Sequence, residues 1–274
     1  MSGKDALKLA VISGGSSGIG LACARVLLGR GYRVVLLARD LVRLEQAQNA
    51  LGGDGNVVGV EKVDVTDTAT SNAVLKAVAA RHGQIDWLIT SAGIAEPGLF
   101  RDLGLSAHRD QMETNYFGTL NLVHAARPLM SRGSRMTLVS SGAAFVGIAG
   151  YSSYAPGKFA LRALAEILRL ELEQDAISIS IAFPPDTQTP QLEREKAKRP
   201  LVTRLISEQG GTMSALDVAE RMIARAEAGA FMIAPSRSIT LLAWFHSLYR
   251  PILAWQQGRI LKRHLREAQD EDRR

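Results

Sequence analysis

A single cysteine, Cys23, occurs in 274 residues. No disulfide can therefore form within the chain, which suits a reducing compartment. Cys23 lies in an apolar helical stretch with no second Cys or nearby His, so it reads as a core residue rather than a nucleophile or ligand. The five histidines (82, 108, 124, 246 and 264) show no ligand spacing, and a metal site is not expected. The opening MSGKDALKLAVIS lacks the apolar core and small-residue cleavage site of a secretory signal. Its strand-like run Leu7–Ser13 is too short to cross a bilayer. The N-terminus is thus expected to start the fold itself, and the protein to be cytoplasmic. No internal repeat, low-complexity tract or Pro/Gly linker divides the sequence.

A net charge of +6 raises nucleic acid as a partner, so its distribution matters. Residues 236–274 hold 8 Lys/Arg and 4 Asp/Glu, leaving 25 and 23 in the first 235. The body is nearly balanced and shows no basic stripe, which argues against nucleic acid. With 46% hydrophobic and 22% charged residues, the chain has the balance of a globular protein with a sizeable core.

Short β-branched runs alternate with helix-period segments, the pattern of a parallel sheet with crossover helices. The expected strands are Leu9–Ser13, Arg33–Ala38, Val57–Val63, Asp86–Thr90, Arg135–Ser140, Ile177–Phe183 and Phe231–Ala234. Helices are expected near Gly18–Gly29, Asp40–Ala50, Thr68–His82, Ser106–Met130, Ser152–Glu173 and Ser214–Ala228. This predicts an α/β, Rossmann-type, doubly wound, seven-stranded parallel sheet over residues 1–235. An amphipathic, basic helical extension is expected over 236–274. Pro184–Met213 reads as strandless.

Directly after the first strand stands Ser13-Gly14-Gly15-Ser16-Ser17-Gly18-Ile19-Gly20, which runs into a helix. Glycines let the backbone approach a pyrophosphate, and the helix presents its amides and dipole to that anion. The spacing is G-x-x-x-G-x-G rather than the commoner G-x-G-x-x-G. At the end of the second strand Ala38 stands where an acid would take ribose hydroxyls, and Arg39 follows. An arginine there pairs with a 2′-phosphate, which favours NADP(H) over NAD. Asp40 suits the N-cap of the next helix better than the ribose. Asp64, with Val65, is placed either to hold adenine or to cap a helix.

Tyr154 and Lys158 are four apart, hence on one face of the helix expected from Ser152. A phenol near pKa 10 is a weak acid or base at neutral pH, and an adjacent ammonium favours its ionised form. Ser141, 13 residues upstream of Tyr154 at a strand end, offers a hydroxyl on the same side. Tyr151 is followed four residues on by Ala155, which offers no ammonium.

These motifs, in this order, resemble the short-chain dehydrogenase/reductase family from about Leu9 to Ala234. The resemblance implies hydride transfer from NADPH to a carbonyl, with Tyr154 as proton donor. It implies that Lys158 tunes the phenol and holds the nicotinamide ribose, that Ser141 orients the carbonyl, and that Asn115 anchors a water relay. A kinked-helix role for Asn115 stays open. Thr90-Ser91-Ala92-Gly93 matches the family's Asn-Asn-Ala-Gly only at Ala92 and Gly93, which keeps the turn but not the usual side-chain bracing of the central sheet. Pro184, Thr187 and Thr189 fall where the family contacts the nicotinamide; Thr189 is the first candidate and Thr187 the second. The strings Tyr154–Glu166 and Ala182–Pro190 are similar to 3-ketodihydrosphingosine reductases, although Ala155-Pro156-Gly157 replaces the usual Ser-Ala-Ser and an N-terminal membrane anchor of the kind eukaryotic members carry is not expected. The resemblance implies a long-chain lipid ketone as substrate and a homodimer or homotetramer. Other hydrophobic ketones or alcohols (3-oxoacyl or steroid-like) remain open, as does a non-catalytic NADP-binding role.

Residues 187–213 are expected to form a lid over the substrate, or else an ordinary surface helix pair. Leu241, Trp244, Phe245, Leu248, Ile252 and Trp255 recur near helical spacing, with His246, Arg250 and Pro251 interrupting and Arg259, Lys262, Arg263 and Arg266 following. Aromatic anchors flanked by cations fit a helix lying peripherally in a membrane interface, or one that packs on the body or a second subunit.

Overall fold

The computed structural model describes residues 7–52 and 58–271, the last eight of these by backbone alone. Val57 and the side chain of Arg266 lie outside the described residues. Strands run β1 Leu9–Ser13, β2 Arg33–Ala38, β3 Val58–Lys62, β4 Trp87–Thr90, β5 Arg135–Val139, β6 Ser178–Ala182, β7 Asp186–Gln188, β8 Thr212–Ser214 and β9 Met232–Ile233. Helices run α1 Gly18–Leu28, α2 Leu41–Ala50, α3 Thr68–His82, α4 Leu105–Met112, α5 Gly118–Ala126, α6 Ala155–Glu171, α7 Pro190–Lys196, α8 Leu201–Ser207, α9 Ala215–Glu227 and α10 Arg237–Glu271.

The main sheet has seven strands in the order β3-β2-β1-β4-β5-β6-β9, and every pairing is parallel. Because side chains alternate across a strand, β1 sends Leu9 and Val11 into one apolar core and Ala10 and Ile12 into the other. Both faces are therefore covered, as a parallel sheet requires. The chain order reverses between β1 and β4, which opens a crevice at their carboxyl ends.

The bracing of that crevice is local. The Ser13 hydroxyl, at the end of β1, accepts the backbone N–H groups of Ser91 and Ala92, each at 3.1 Å. It thus supplies between the central strands what Thr90 and Ser91 do not.

Two expectations are corrected. Pro184–Met213 is not strandless, because β7 and β8 pair in parallel and clamp the base of the α7–α8 helix pair. Ser106–Met130 is not one helix: Glu113–Phe117 forms a π-helical turn between α4 and α5, followed by a short turn at Arg127–Leu129. The expected C-terminal helix is present as α10, which runs through Pro251. Proline removes one helical hydrogen bond, but apolar anchoring on both sides (Ile239, Leu242 and Ala243 before it, Leu253 after) outweighs the loss. Gln257 adds to this by accepting the Ala149 N–H at 2.7 Å and donating to the Gly147 carbonyl at 3.1 Å. Among the described residues no helix is long and apolar enough to cross a membrane.

Ser13→Ala leaves the part-buried Ala92 N–H without its acceptor, while the Ser91 N–H keeps the Ser13 carbonyl at 3.2 Å. The expected cost is about 1–3 kcal/mol, read as a lowered Tm in thermal unfolding; an unchanged Tm contradicts the bracing role.

Candidate active site

At the crevice the chain turns from β1 into α1 through Gly14 and Gly18, whose φ angles of 66° and 57° lie in the left-handed region. Gly20 is tighter still, since a Cβ there would sit 2.4 Å from the Gly14 carbonyl oxygen. The turn therefore lies flat against the first helical turn, with the amides of α1 facing the crevice. A cavity of about 620 Å³ begins there and extends under the lid to α10. It is lined by Gly14, Ser16, Ser17, Gly18, Ile19, Arg39, Val65, Ala92, Gly93, Ser141, Tyr154, Lys158, Pro184, Thr187 and Thr189. Of the expected site residues, Gly20, Asp64 and Asn115 stand behind that wall.

Each of these has a visible occupation. Asp64 accepts from the Thr66 N–H at 3.0 Å and hydroxyl at 2.8 Å, closing a turn after β3. The cap of α3 is Asp67 instead. Asn115 is fully buried, and both ends of its amide bind Ile94: Oδ1 accepts the N–H at 2.8 Å and Nδ2 donates to the carbonyl at 2.9 Å. A water relay of the kind the resemblance implies would have to use the Asn115 carbonyl, which also accepts from the Thr119 hydroxyl at 3.1 Å. The π-turn is what aims this amide at the end of β4.

At the adenosine end, Asp40 caps α2 by accepting the Arg43 N–H at 3.1 Å. Ala38, Arg39 and Arg43 line the cavity. Arg43 was overlooked in the sequence, although it lies one helical turn beyond Arg39.

At the far end, Tyr154 is the N-cap of α6, which begins at Ala155 rather than near Ser152. Pro156 fits the first turn, where its missing N–H has no helical partner to lose. Lys158 is buried; its Nζ lies 5.5 Å from the Tyr154 ring centroid and donates to the Val139 carbonyl at 3.2 Å. A Cβ on Gly93 would stand 3.0 Å from Asn115 Oδ1 and 3.7 Å from Lys158 Nζ, so glycine keeps clear the space beside both polar heads. Ser141, just past the end of β5, accepts the Ala143 N–H at 3.2 Å and lines the same cavity as the Tyr154 phenol. Thr189 caps α7 and lies against Gly18, while the buried Thr187 hydroxyl donates to the Pro185 carbonyl at 2.9 Å.

Burial pushes the Tyr154 phenol above its ordinary value and Glu195 adds to the rise, while the Ser141 hydroxyl pulls it back. Burial also draws the Lys158 ammonium down to about 8, against the opposing pull of Glu195. The expectation that lysine lowers the phenol is thus overridden by desolvation. The result is a phenol that stays protonated, the form a proton donor needs, beside an amine that titrates near neutrality.

The lid contributes residues the sequence reading passed over. Arg199 holds Asp186 with two hydrogen bonds, at 2.5 and 2.9 Å, and Glu195 at 3.1 Å. Glu195 also accepts from the Tyr151 hydroxyl at 3.3 Å and from Gln191 at 2.9 Å. Tyr151, dismissed for lack of a lysine partner, stacks at a tilt on Tyr154 with ring centroids 5.2 Å apart. Helix α10 closes the apolar end with Ile239, Leu241, Leu242, Tyr249 and Leu253.

Gly20→Ala forces a methyl group into the Gly14 carbonyl. Dinucleotide binding, followed by NADPH fluorescence, is expected to weaken by at least tenfold; unchanged affinity contradicts the assignment of this turn to the cofactor.

The geometry has counterparts among known proteins. The family described as short chain dehydrogenase matches residues 8–200. The 3-dehydrosphinganine reductase of Danio rerio is 36% identical over 228 residues, 81% of this chain and 69% of that protein. The 3-ketodihydrosphingosine reductase of Bos taurus gives the same identity and coverage. The 3-dehydrosphinganine reductase of Arabidopsis thaliana is 37% identical over 235 residues, 82% of this chain and 69% of that one. A short chain dehydrogenase/reductase from Burkholderia phymatum, solved in complex with NAD, superposes with a TM-score of 0.78 at 21% identity over 91% of this chain and 97% of that one. An alcohol dehydrogenase from Thermococcus sibiricus, complexed with 5-hydroxy-NADP, gives 0.71 at 23% over 83% and 95%. The chain belongs to the short-chain dehydrogenase/reductase family and is an oxidoreductase acting on a C=O/CH–OH group.

Proposed function

We propose that this protein uses NADPH to reduce 3-ketodihydrosphingosine, a long-chain 2-amino ketone, to dihydrosphingosine in sphingolipid synthesis. One observation carries this reading: the polar cluster of Ser141, Tyr154 and Lys158 opens into a cavity whose other end is walled by the apolar inner face of α10. A reactive head and a hydrocarbon tail are thereby accommodated together. The similarity to named sphingoid ketone reductases supports the same substrate.

NADPH rather than NADH is supported by the β2 end, where Arg39 and Arg43 line the cavity and the nearest acid, Asp40, is taken up by the α2 cap. When bound, this cofactor supplies the hydride. The remaining work falls to the chain. Ser141 orients the carbonyl oxygen, Tyr154 gives its proton to that oxygen as negative charge builds, and the Lys158 ammonium stabilises the phenolate left behind. Asn115 and Val139 fix the positions of the Gly93 turn and the lysine.

The outer face of α10 presents Trp244, Leu248, Ile252 and Trp255, each more than half exposed. Arg250, Arg259, Lys262 and Arg263 lie on the same helix. Aromatics beside cations suit a helix resting in an anionic membrane surface. The cavity end lined by α10 would then face the lipid that delivers the substrate, placing the protein on the cytoplasmic side of a membrane. Ile167 and Leu170 on α6, 51% and 71% exposed, suit pairing with a second copy.

With purified protein, NADPH consumption is expected with 3-ketodihydrosphingosine and to be much slower with 3-oxoacyl or steroid ketones; the reverse order contradicts the substrate. Tyr154→Phe is expected to lower kcat by at least a thousandfold while NADPH still binds. Reduction of the ketone, followed as kcat/KM, is expected to fall as pH rises through about 8, because the protonated Lys158 is lost there; a flat profile between 7 and 9 contradicts its role. Flotation with anionic liposomes is expected for the full chain and not for a chain ending at Pro235.

A further inference from the structure

The Asp186–Arg199–Glu195 cluster is charged in a way that reducing a plain ketone does not require. Two carboxylates share one guanidinium on side chains that are 16%, 9% and 3% exposed, leaving one negative charge in excess at the cavity wall. Burying such charge is costly unless something offsets it. The other cation near this end, Lys158, feels the charge of Glu195 but forms no ion pair with the cluster, its Nζ donating instead to the Val139 carbonyl. Arg194 also lines the cavity but is exposed. The cluster is also unsaturated: the buried Nε of Arg199 has no hydrogen-bond partner, and Glu195 Oε1 accepts only from Gln191 among the described residues. A ligand that brings both a positive donor and an oxygen acceptor would complete it.

The position relative to the chemistry is short-range. Tyr154 and Tyr151 stack at 5.2 Å, and the Tyr151 hydroxyl lies 3.3 Å from Glu195 Oε2. The carboxylate therefore stands about one aromatic ring beyond the proton donor, and its charge reaches both Tyr154 and Lys158. In a 2-amino-1-hydroxy-3-ketone, the nitrogen is attached to the carbon next to the carbonyl, and the hydroxyl-bearing carbon follows.

We infer that Glu195 receives the substrate's ammonium group, with Arg199 Nε placed for the oxygen of the neighbouring hydroxyl, so that the lid reads the amino-alcohol head while Tyr154 protonates the ketone. This rests on the proposed substrate. Glu195 is then a recognition residue, and the α7–α8 lid is ordered around the head group of the substrate it covers. Discrimination arises because a neutral analogue leaves the buried carboxylate without its counter-charge.

The test compares 3-ketodihydrosphingosine with its desamino analogue of equal chain length, using full-length protein and NADPH, in the wild type and Glu195→Gln. NADPH fluorescence titration establishes that the variant is folded. The expected result is a KM for the amino ketone raised roughly ten- to a hundredfold, the range for loss of a hydrogen bond to a charged group. The ratio of kcat/KM values for amino over desamino ketone is expected to fall by a similar factor. If both substrates slow in parallel, or neither does, the ammonium site is overturned. Should Glu195→Gln fail to fold, Glu195→Asp keeps the charge and is expected to retain the preference for the amino ketone; equal treatment of the two ketones by that folded variant overturns the site. A wild type that reduces the desamino ketone and not the amino ketone overturns the substrate itself, and the site with it. A wild type active on the amino ketone with an unchanged ratio in Glu195→Gln overturns the site alone.

Discussion

The buried Lys158 ammonium is the constraint around which this site is built. It sits one helical turn from Tyr154, bonded to the carbonyl of Val139 at the end of β5 and facing the gap left by the absent side chain of Gly93. A charged amine placed there without partners would cost several kcal/mol. The fold holds it by bringing the ends of β4 and β5 to the first turn of α6, and that convergence follows from the parallel order of the sheet. The same low-dielectric surroundings keep the phenol protonated and draw the amine toward neutrality. Burial thus sets the protonation of both groups in opposite directions.

From this point the cavity reads as a gradient. The β1–α1 turn, with its helix amides and the arginines after β2, forms an anion-receptive end. The middle holds the proton donor, and the lid and α10 make the end for an apolar substrate. Helix α10 has two roles in one segment: its inner face completes the cavity with Ile239, Leu242 and Leu253, and its outer face leaves Trp244 and Trp255 exposed. An exposed apolar face of this kind marks an interaction surface, which the proposed delivery of a membrane-borne lipid would use.

Much of this was legible in the sequence because it depends on local rules. Strand and helix alternation placed all seven strands of the main sheet, since parallel strands buried on both faces read as unbroken apolar runs. Gly14, Gly18, Tyr154 and Lys158 were legible because tight turns and one-turn helical spacing restrict residue type. What escaped depends on distant parts of the chain. Asp186, Glu195 and Arg199 look like ordinary mixed surface charge until β7 pairs with β8 and folds the lid inward. Tyr151 gains its place from Glu195, which lies 44 residues later. The continuity of α10 through Pro251 depends on contacts with the body that no local signal reveals, and the π-turn at Asn115 depends on Ile94. The direction of the phenol's shift also required the structure, because desolvation cannot be judged from spacing.

The central claim is that one cavity presents the ketone to Tyr154 and the hydrocarbon chain to α10. A crystal structure of the protein with NADP+ and dihydrosphingosine tests it most directly. The account predicts the C3 hydroxyl within hydrogen-bond distance of Tyr154 and Ser141, with the alkyl chain running along Leu242 and Leu253. A product bound with that hydroxyl remote from the phenol, or with its chain leaving by another route, would contradict it.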